Sequence, residues 1–359
     1  MKIGLYYQTY NDVTILLYAL QNSHGLRHEG NVFELTHKDN IYRFSTNYEN
    51  LKRCDKIIRV CSNNWEPNNA EKFDKIVFTL FGEPLQHYIS DEYFNDFLTQ
   101  GNICLSGCYN KIINDKLIVD PFFTLNYFYN FYGFRYLNYR LSTKKLNNLL
   151  GAYHRPKHIS GVVKTNREFL ANQATDILKS DFYIYDSKYV NQLLDPILEP
   201  NNFFGVWQNN HITSYTDYST SVCNLIFETQ DSTTEYNNRI HITEKTLKGI
   251  IFSEENLFFI WYGPEVLRDY LTRTGFWFLN FEFYSGDIRF GNSPMQSSVI
   301  ESITFLKNLK NSLGSNEAVY GYLMGKYGKK LEKNVEIFYN LLSSGSKYTD
   351  FITNSLLTE

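Results

Sequence analysis

His241-Ile-Thr-Glu-Lys-Thr-Leu-Lys248, followed by the apolar run Asn256-Leu-Phe-Phe-Ile-Trp261 and by Gly263-Pro264, sets out a helix, a buried strand and a second helix in close succession. Thr243 is the expected N-cap of the first helix, with Glu244 and Lys245 in its opening turn. Backbone N–H groups at such a start carry partial positive charge, which suits an anion such as a phosphate. The plainer alternative is a capped surface helix in which Glu244 pairs with Lys248 at i,i+4 spacing. Gly263-Pro264 opens the second helix, Gly275 can close it as a C′ residue, and Phe276 to Leu279 reads as a further buried strand. Helix, strand, helix and strand joined by short loops are the pattern of a parallel sheet in an α/β domain.

Working outward, Lys2 to Tyr7, Lys56 to Cys61, Lys75 to Phe81 and Asn102 to Ser106 read as buried strands, with helices expected over Asp12 to Ser23 and Ser90 to Gln100. A second unit begins with the strand Leu146 to Tyr153, the helix Val162 to Lys179 and the strand Phe182 to Tyr185. Two closing helices are expected over Ser298 to Asn311 and Glu317 to Ser343, packed on the second unit and crossing back to the first. The connector Arg140 to Lys145 is the natural boundary, giving domains 1–143 and 144–359. A chain of 359 residues with 43% hydrophobic content can bury two such cores.

Several function classes are disfavoured. No stretch reaches the roughly 18 to 20 apolar residues of a membrane span. Asn11-Asp12 interrupts the N-terminal apolar run before a signal sequence could develop, so retention in the cytoplasm is expected. Cys54, Cys61, Cys104, Cys108 and Cys223 are too irregularly spaced for a disulfide framework and read as free thiols. Neither the histidines nor the acids show a metal-binding spacing, so no metal is expected. Charge is distributed unevenly. From Pro121 to Arg167 there is no acid, while Arg135, Arg140, Lys144, Lys145, Arg155, Lys157, Lys164 and Arg167 supply eight positive charges to a chain of net charge −3. Such a segment, rich in Tyr and Phe over its first third, suits a polyanion; the alternative is a solvated basic connector.

The set Phe227-Glu228, His241-Ile-Thr-Glu-Lys-Thr246, Phe258-Phe-Ile-Trp-Tyr-Gly-Pro264 and Leu271 to Phe278 resembles the donor-binding half of phage-type and giant-virus-type glycosyltransferases. It is also similar to the α1,3-fucosyltransferase family, with Thr229-Gln230 standing where that signature has Asn-Ser. The resemblance covers about 60 residues and implies the GT-B architecture, two Rossmann-like domains facing a central cleft. The first domain would bind the acceptor and the second a nucleotide-diphosphate sugar, linked to UDP or GDP. In that reading Lys245 contacts the diphosphate and Glu228 and Glu244 bind hydroxyls of ribose or sugar. Thr243, Lys248, Arg155 and Arg167 complete the donor set.

Transfer with inversion needs a base near the acceptor hydroxyl. Glu83, in Phe78-Thr-Leu-Phe-Gly-Glu-Pro84, ends an apolar strand between two turn residues, a placement similar to that of the base in inverting phage DNA glucosyltransferases. Asp120 before Pro121 is the alternative, and Asp12 and His87 are more distant candidates. The acceptor expected first is a hydroxymethylated pyrimidine in phage DNA, with Arg135, Arg140, Lys144 and Lys145 on its backbone. A glycan or lipopolysaccharide acceptor, or a non-catalytic nucleotide-sugar or carbohydrate-binding protein, are the other readings of the same residues.

Overall fold

The computed structural model describes residues 1–8, 12–13, 16, 20, 24–29, 32–61, 73–80, 103–106, 117–119, 146–153, 165–185, 217–228, 242–289, 291–344, 354 and 356. The chain is a mixed α/β protein with two parallel-strand sheets. It divides into one unit comprising residues 1–127 and 343–359 and a second comprising 128–342, where the sequence places a single boundary at 143–144.

The first unit carries β1 (Lys2–Tyr6), β2 (His24–Glu29), β3 (Val32–His37), β4 (Asn40–Ser45), β5 (Lys56–Cys61), β6 (Lys75–Leu80), β7 (Ile103–Ser106) and β8 (Leu117–Val119). They form one sheet in the order β2-β3-β4-β1-β5-β6-β7-β8, parallel from β4 to β8. β1 lies between β4 and β5, and Ile3 and Leu5 are wholly buried, as a two-sided strand requires. β2, β3 and β4 are not legible as strands. β3 and β4 join antiparallel through Lys38-Asp39, both at positive φ (47° and 65°), the geometry of a mirror-image two-residue turn. That turn normally advertises itself with Asn-Gly or Asp-Gly, and here no glycine marks it. The helix expected over Ser90 to Gln100 lies outside the described residues; of that expected over Asp12 to Ser23, residues 12, 13 and 16 are helical.

The second unit carries β9 (Asn148–Tyr153), α1 (Thr165–Leu178), β10 (Phe182–Tyr185), β11 (Ser221–Phe227), α2 (Glu244–Ile251), β12 (Phe258–Tyr262), α3 (Glu265–Thr274), α4 (Pro294–Leu313) and α5 (Asn316–Ser344). Its four strands are all parallel, in the order β10-β9-β11-β12. This arrangement is compatible with a Rossmann-like fold. Every residue of β11 and β12 is buried, and each fully covered Phe, Ile or Trp contributes about 1.5–3 kcal/mol. α2 packs closely on the sheet because Gly249 has no side chain: a Cβ there would lie 2.7 Å from the Phe278 ring and 2.8 Å from Ile226 Cδ1. Gly275 closes α3 at φ 99°, in the left-handed region expected of a C′ glycine.

The expected strand Phe276 to Leu279 is not a strand. All four residues are buried, but the backbone passes into a 3-10 turn over Leu279–Phe283. Two asparagine amides take over the pairing a neighbouring strand would supply. Asn280 Oδ1 accepts the Trp261 N–H at 2.9 Å while its Nδ2 donates to the Trp261 carbonyl at 3.0 Å. Asn334, from α5, does the same for Trp277, at 2.8 Å in both directions. α4 begins earlier than expected, at Pro294, where Ser293 and Gln296 form a reciprocal capping box. Among the described residues no helix is long and apolar enough to cross a membrane.

Candidate anion site at the carboxyl end of the second sheet

In an open parallel sheet, ligands bind beyond the carboxyl ends of the strands, where successive connections leave in opposite directions. In the second unit that point falls between β9 and β11, since β10 lies to one side of β9 while β11 and β12 lie to the other. Glu228 is the first residue after β11. It extends the pairing by one step, donating its backbone N–H to the Tyr262 carbonyl at 2.8 Å, and it is 2% exposed.

The start of α2 is folded around this carboxylate. Glu228 Oε1 accepts the backbone N–H groups of Thr243 (3.2 Å) and Thr246 (3.3 Å) and the Thr246 hydroxyl, and Oε2 accepts the Thr243 hydroxyl at 2.6 Å. Thr243 is the N-cap, and its Oγ1 accepts the Lys245 N–H at 3.3 Å. The helix start therefore does attract an anion, and the anion is the chain's own. The N–H groups of Thr243, Lys245 and Thr246, expected from the sequence to face a phosphate, are satisfied from within. Both oxygens of Glu228, expected to meet donor hydroxyls, are engaged with the helix.

Arg167, in the first turn of α1, donates from Nη2 to the Glu228 carbonyl and is 5% exposed. The residue after β11 is thus held by a guanidinium on its carbonyl and by a helix start on its carboxylate. The arrangement extends into the core: the Trp261 indole N–H donates to Thr246 Oγ1 at 2.8 Å, and Asn280 adds a bond to Ser298 Oγ on α4. α4 also meets α1 directly, through Gln296 Nε2 and Asn166 Oδ1 at 3.1 Å. Gly263 is required by the same packing, because a Cβ there would stand 2.5 Å from the Trp261 ring and 3.0 Å from Glu228 Cβ.

Of the donor residues expected from sequence, Glu228, Thr243 and Arg167 are therefore brought together, and Lys245 and Lys248 lie half-buried on α2. The Glu244 side chain, Arg155, the candidate bases Glu83 and Asp120, and Arg135, Arg140, Lys144 and Lys145 lie outside the described residues. Thr246, Trp261 and Asn280 were not legible as parts of the site. Thr246 sits three residues after the N-cap, a position from which it can close on a buried carboxylate, but nothing local names that carboxylate.

A second polar cluster lies on β9 and β10. The Tyr153 hydroxyl donates to Asp217, and the Tyr185 hydroxyl bonds Ser221 Oγ at 2.7 Å and Asn224 Oδ1 at 3.1 Å. Burial raises the Asp217 carboxyl above its ordinary value, against the hydrogen bond from Tyr153, and pushes Tyr185 up to about 12. Among the described residues no group of three His, Cys, Asp or Glu side chains is arranged to hold a metal ion. No protein-family model matches the chain, and no curated protein matches it.

Proposed function

We propose that the protein is a nucleotide-sugar-dependent glycosyltransferase of GT-B architecture, with the donor diphosphate at the carboxyl end of the second sheet. The observation that carries this reading is the convergence of Arg167 and the Thr243-Glu244-Lys245 helix start on Glu228, at the switch point of a parallel sheet. Two cations and a helix start, separated along the chain, meet where such sheets bind ligands.

In the proposed reaction the acceptor hydroxyl gives its proton to a carboxylate of the first unit, Glu83 or alternatively Asp120. Its oxygen then bonds to the anomeric carbon as the bond from that carbon to the diphosphate oxygen breaks. Lys245 takes up the charge gathering on the leaving diphosphate, a role for which the lysine's strong point charge is suited. Arg167 adds positive charge and fixes the Glu228 backbone, Thr243 and Glu228 set the helix that carries Lys245, and Lys248 extends the positive side of α2. Arg155 and Glu244 are assigned to the donor by the resemblance alone. No metal is needed in this scheme.

For the acceptor, the acid-free segment Pro121 to Arg167 favours a polyanion, and a hydroxymethylated pyrimidine in DNA is the leading candidate. Enzymatic access to such a base would require flipping it from the stack. A glycan or lipopolysaccharide acceptor and a non-catalytic nucleotide-sugar-binding protein are the competing readings. A sugar-release assay decides between them, pairing UDP- and GDP-linked sugars with hydroxymethylated DNA, unmodified DNA and free saccharides. Release dependent on hydroxymethylated DNA is expected; release dependent on saccharides transfers the assignment to a glycan acceptor, and binding without release leaves a binding protein.

A further inference from the structure

Glu228 places a negative charge, 2% exposed, at the position where a helix start and a buried arginine would otherwise hold an anion most tightly. A buried carboxylate is costly unless fully hydrogen-bonded, and this one accepts from two backbone N–H groups and two hydroxyls. Any diphosphate held by Lys245 must sit in the field of that charge as well as in the field of the cations. We propose that Glu228 is a positioning residue and the resident counter-anion of the donor site. It fixes the start of α2 and, by offsetting the charge of Arg167 and of the helix dipole, keeps the diphosphate from being held too tightly to leave. This inference rests on the donor-site reading given above and assigns Glu228 a role other than binding donor hydroxyls.

Glutamine separates the charge from the contacts. In Glu228→Gln, Oε1 can keep all three of its donors, and the amide Nε2 can donate to Thr243 Oγ1, reversing a single hydrogen bond. The probe is inorganic pyrophosphate, titrated calorimetrically into the full-length wild type, Glu228→Gln, Thr246→Val and Lys245→Ala. Loss of the carboxylate charge should tighten pyrophosphate binding by roughly five- to thirtyfold, the span set by one charge at a helix terminus in partly buried geometry. Thr246→Val removes contacts to Glu228 and Trp261 but keeps the charge, and should not tighten binding.

Failure of the proposal and failure of the site reading give different results. Should wild type bind pyrophosphate and Lys245→Ala weaken it while Glu228→Gln leaves it unchanged or weaker, the diphosphate site stands and the counter-anion role falls. Tightening in Thr246→Val equal to that in Glu228→Gln would attribute the effect to loosening of the helix and overturn the proposal. A Glu228→Gln chain that fails to fold would assign the carboxylate to the fold and overturn it equally. Absence of pyrophosphate binding in both wild type and Glu228→Gln would remove the donor site and this inference with it.

Discussion

At the carboxyl ends of β1 and β4 in the first unit, buried polar side chains close on near neighbours in sequence. Asp12 accepts the Gln8 N–H at 3.1 Å, and Ser45 accepts from Asn47 and Asn50 at 3.0 and 3.1 Å. At the carboxyl end of β11 in the second unit, Glu228 bonds residues on α1 and α2, and Thr246 extends the contacts to β12. The first pattern finishes turns, which a short piece of chain can do by itself. The second exists only when four elements are assembled, and it leaves a carboxylate and a guanidinium buried together. Natural chains retain such buried polar groups where they fix one arrangement among several, and a ligand site is one place that needs this.

The contrast can be broken most forcefully through activity. If the first unit supplies the base, Glu83→Gln should lower transfer by about 10² to 10⁴ while leaving donor binding intact, the range for a lost general base. Loss of transfer in Asp120→Asn with Glu83→Gln unaffected would move the base to Asp120. If the second unit holds the diphosphate, Lys245→Ala should lower turnover by about 10² to 10³, as when a single charge-stabilising donor is removed. Wild-type turnover in Lys245→Ala would dissolve the distinction between the two sheet ends.

Smaller effects test the scaffold of the second unit. Asn280→Ala leaves the buried Trp261 N–H and C=O without the partners that Asn280 provides, and should cost about 2–4 kcal/mol in a denaturant titration. Gly263→Ala forces a methyl against the Trp261 ring and Glu228 Cβ and should cost about 1–3 kcal/mol, measured in the same way. An unchanged midpoint in either variant would mean that the β12 edge is less tightly specified than its geometry implies.

The smallest effect is one of pH. Because burial raises the Asp217 carboxyl in the fold, the folded chain binds more protons there than the unfolded chain as pH climbs above the ordinary aspartate value. Its contribution to stability should therefore fall through that window and level off above the raised value. Asp217→Asn should flatten this part of the stability profile. A profile of the same slope in the variant would place the pH dependence elsewhere.

How much of this was legible in the sequence follows from which forces are local. Lys56 to Cys61 and Phe182 to Tyr185 coincide with β5 and β10 because short strands of a parallel sheet read as compact apolar or β-forming runs. Thr243 and Gly275 act as cap and C′ residue because capping is decided within a few residues. Phe276 to Leu279 shows the limit: an apolar run reports burial, and it does not report whether the backbone is paired by a strand or by Asn280 and Asn334. The hairpin at Lys38-Asp39 was missed for lack of a glycine. The role of Glu228 was missed because its partners lie 15 to 61 residues away along the chain.

The central claim, that the carboxyl end of the second sheet holds a nucleoside diphosphate through Lys245, is tested most directly by equilibrium titration of UDP and GDP into wild type and Lys245→Ala. Saturable binding of one nucleotide by wild type, weakened about tenfold or more in Lys245→Ala while the thermal midpoint is unchanged, is the predicted result. Equal affinity in the two proteins, or binding of neither nucleotide by wild type, would contradict it.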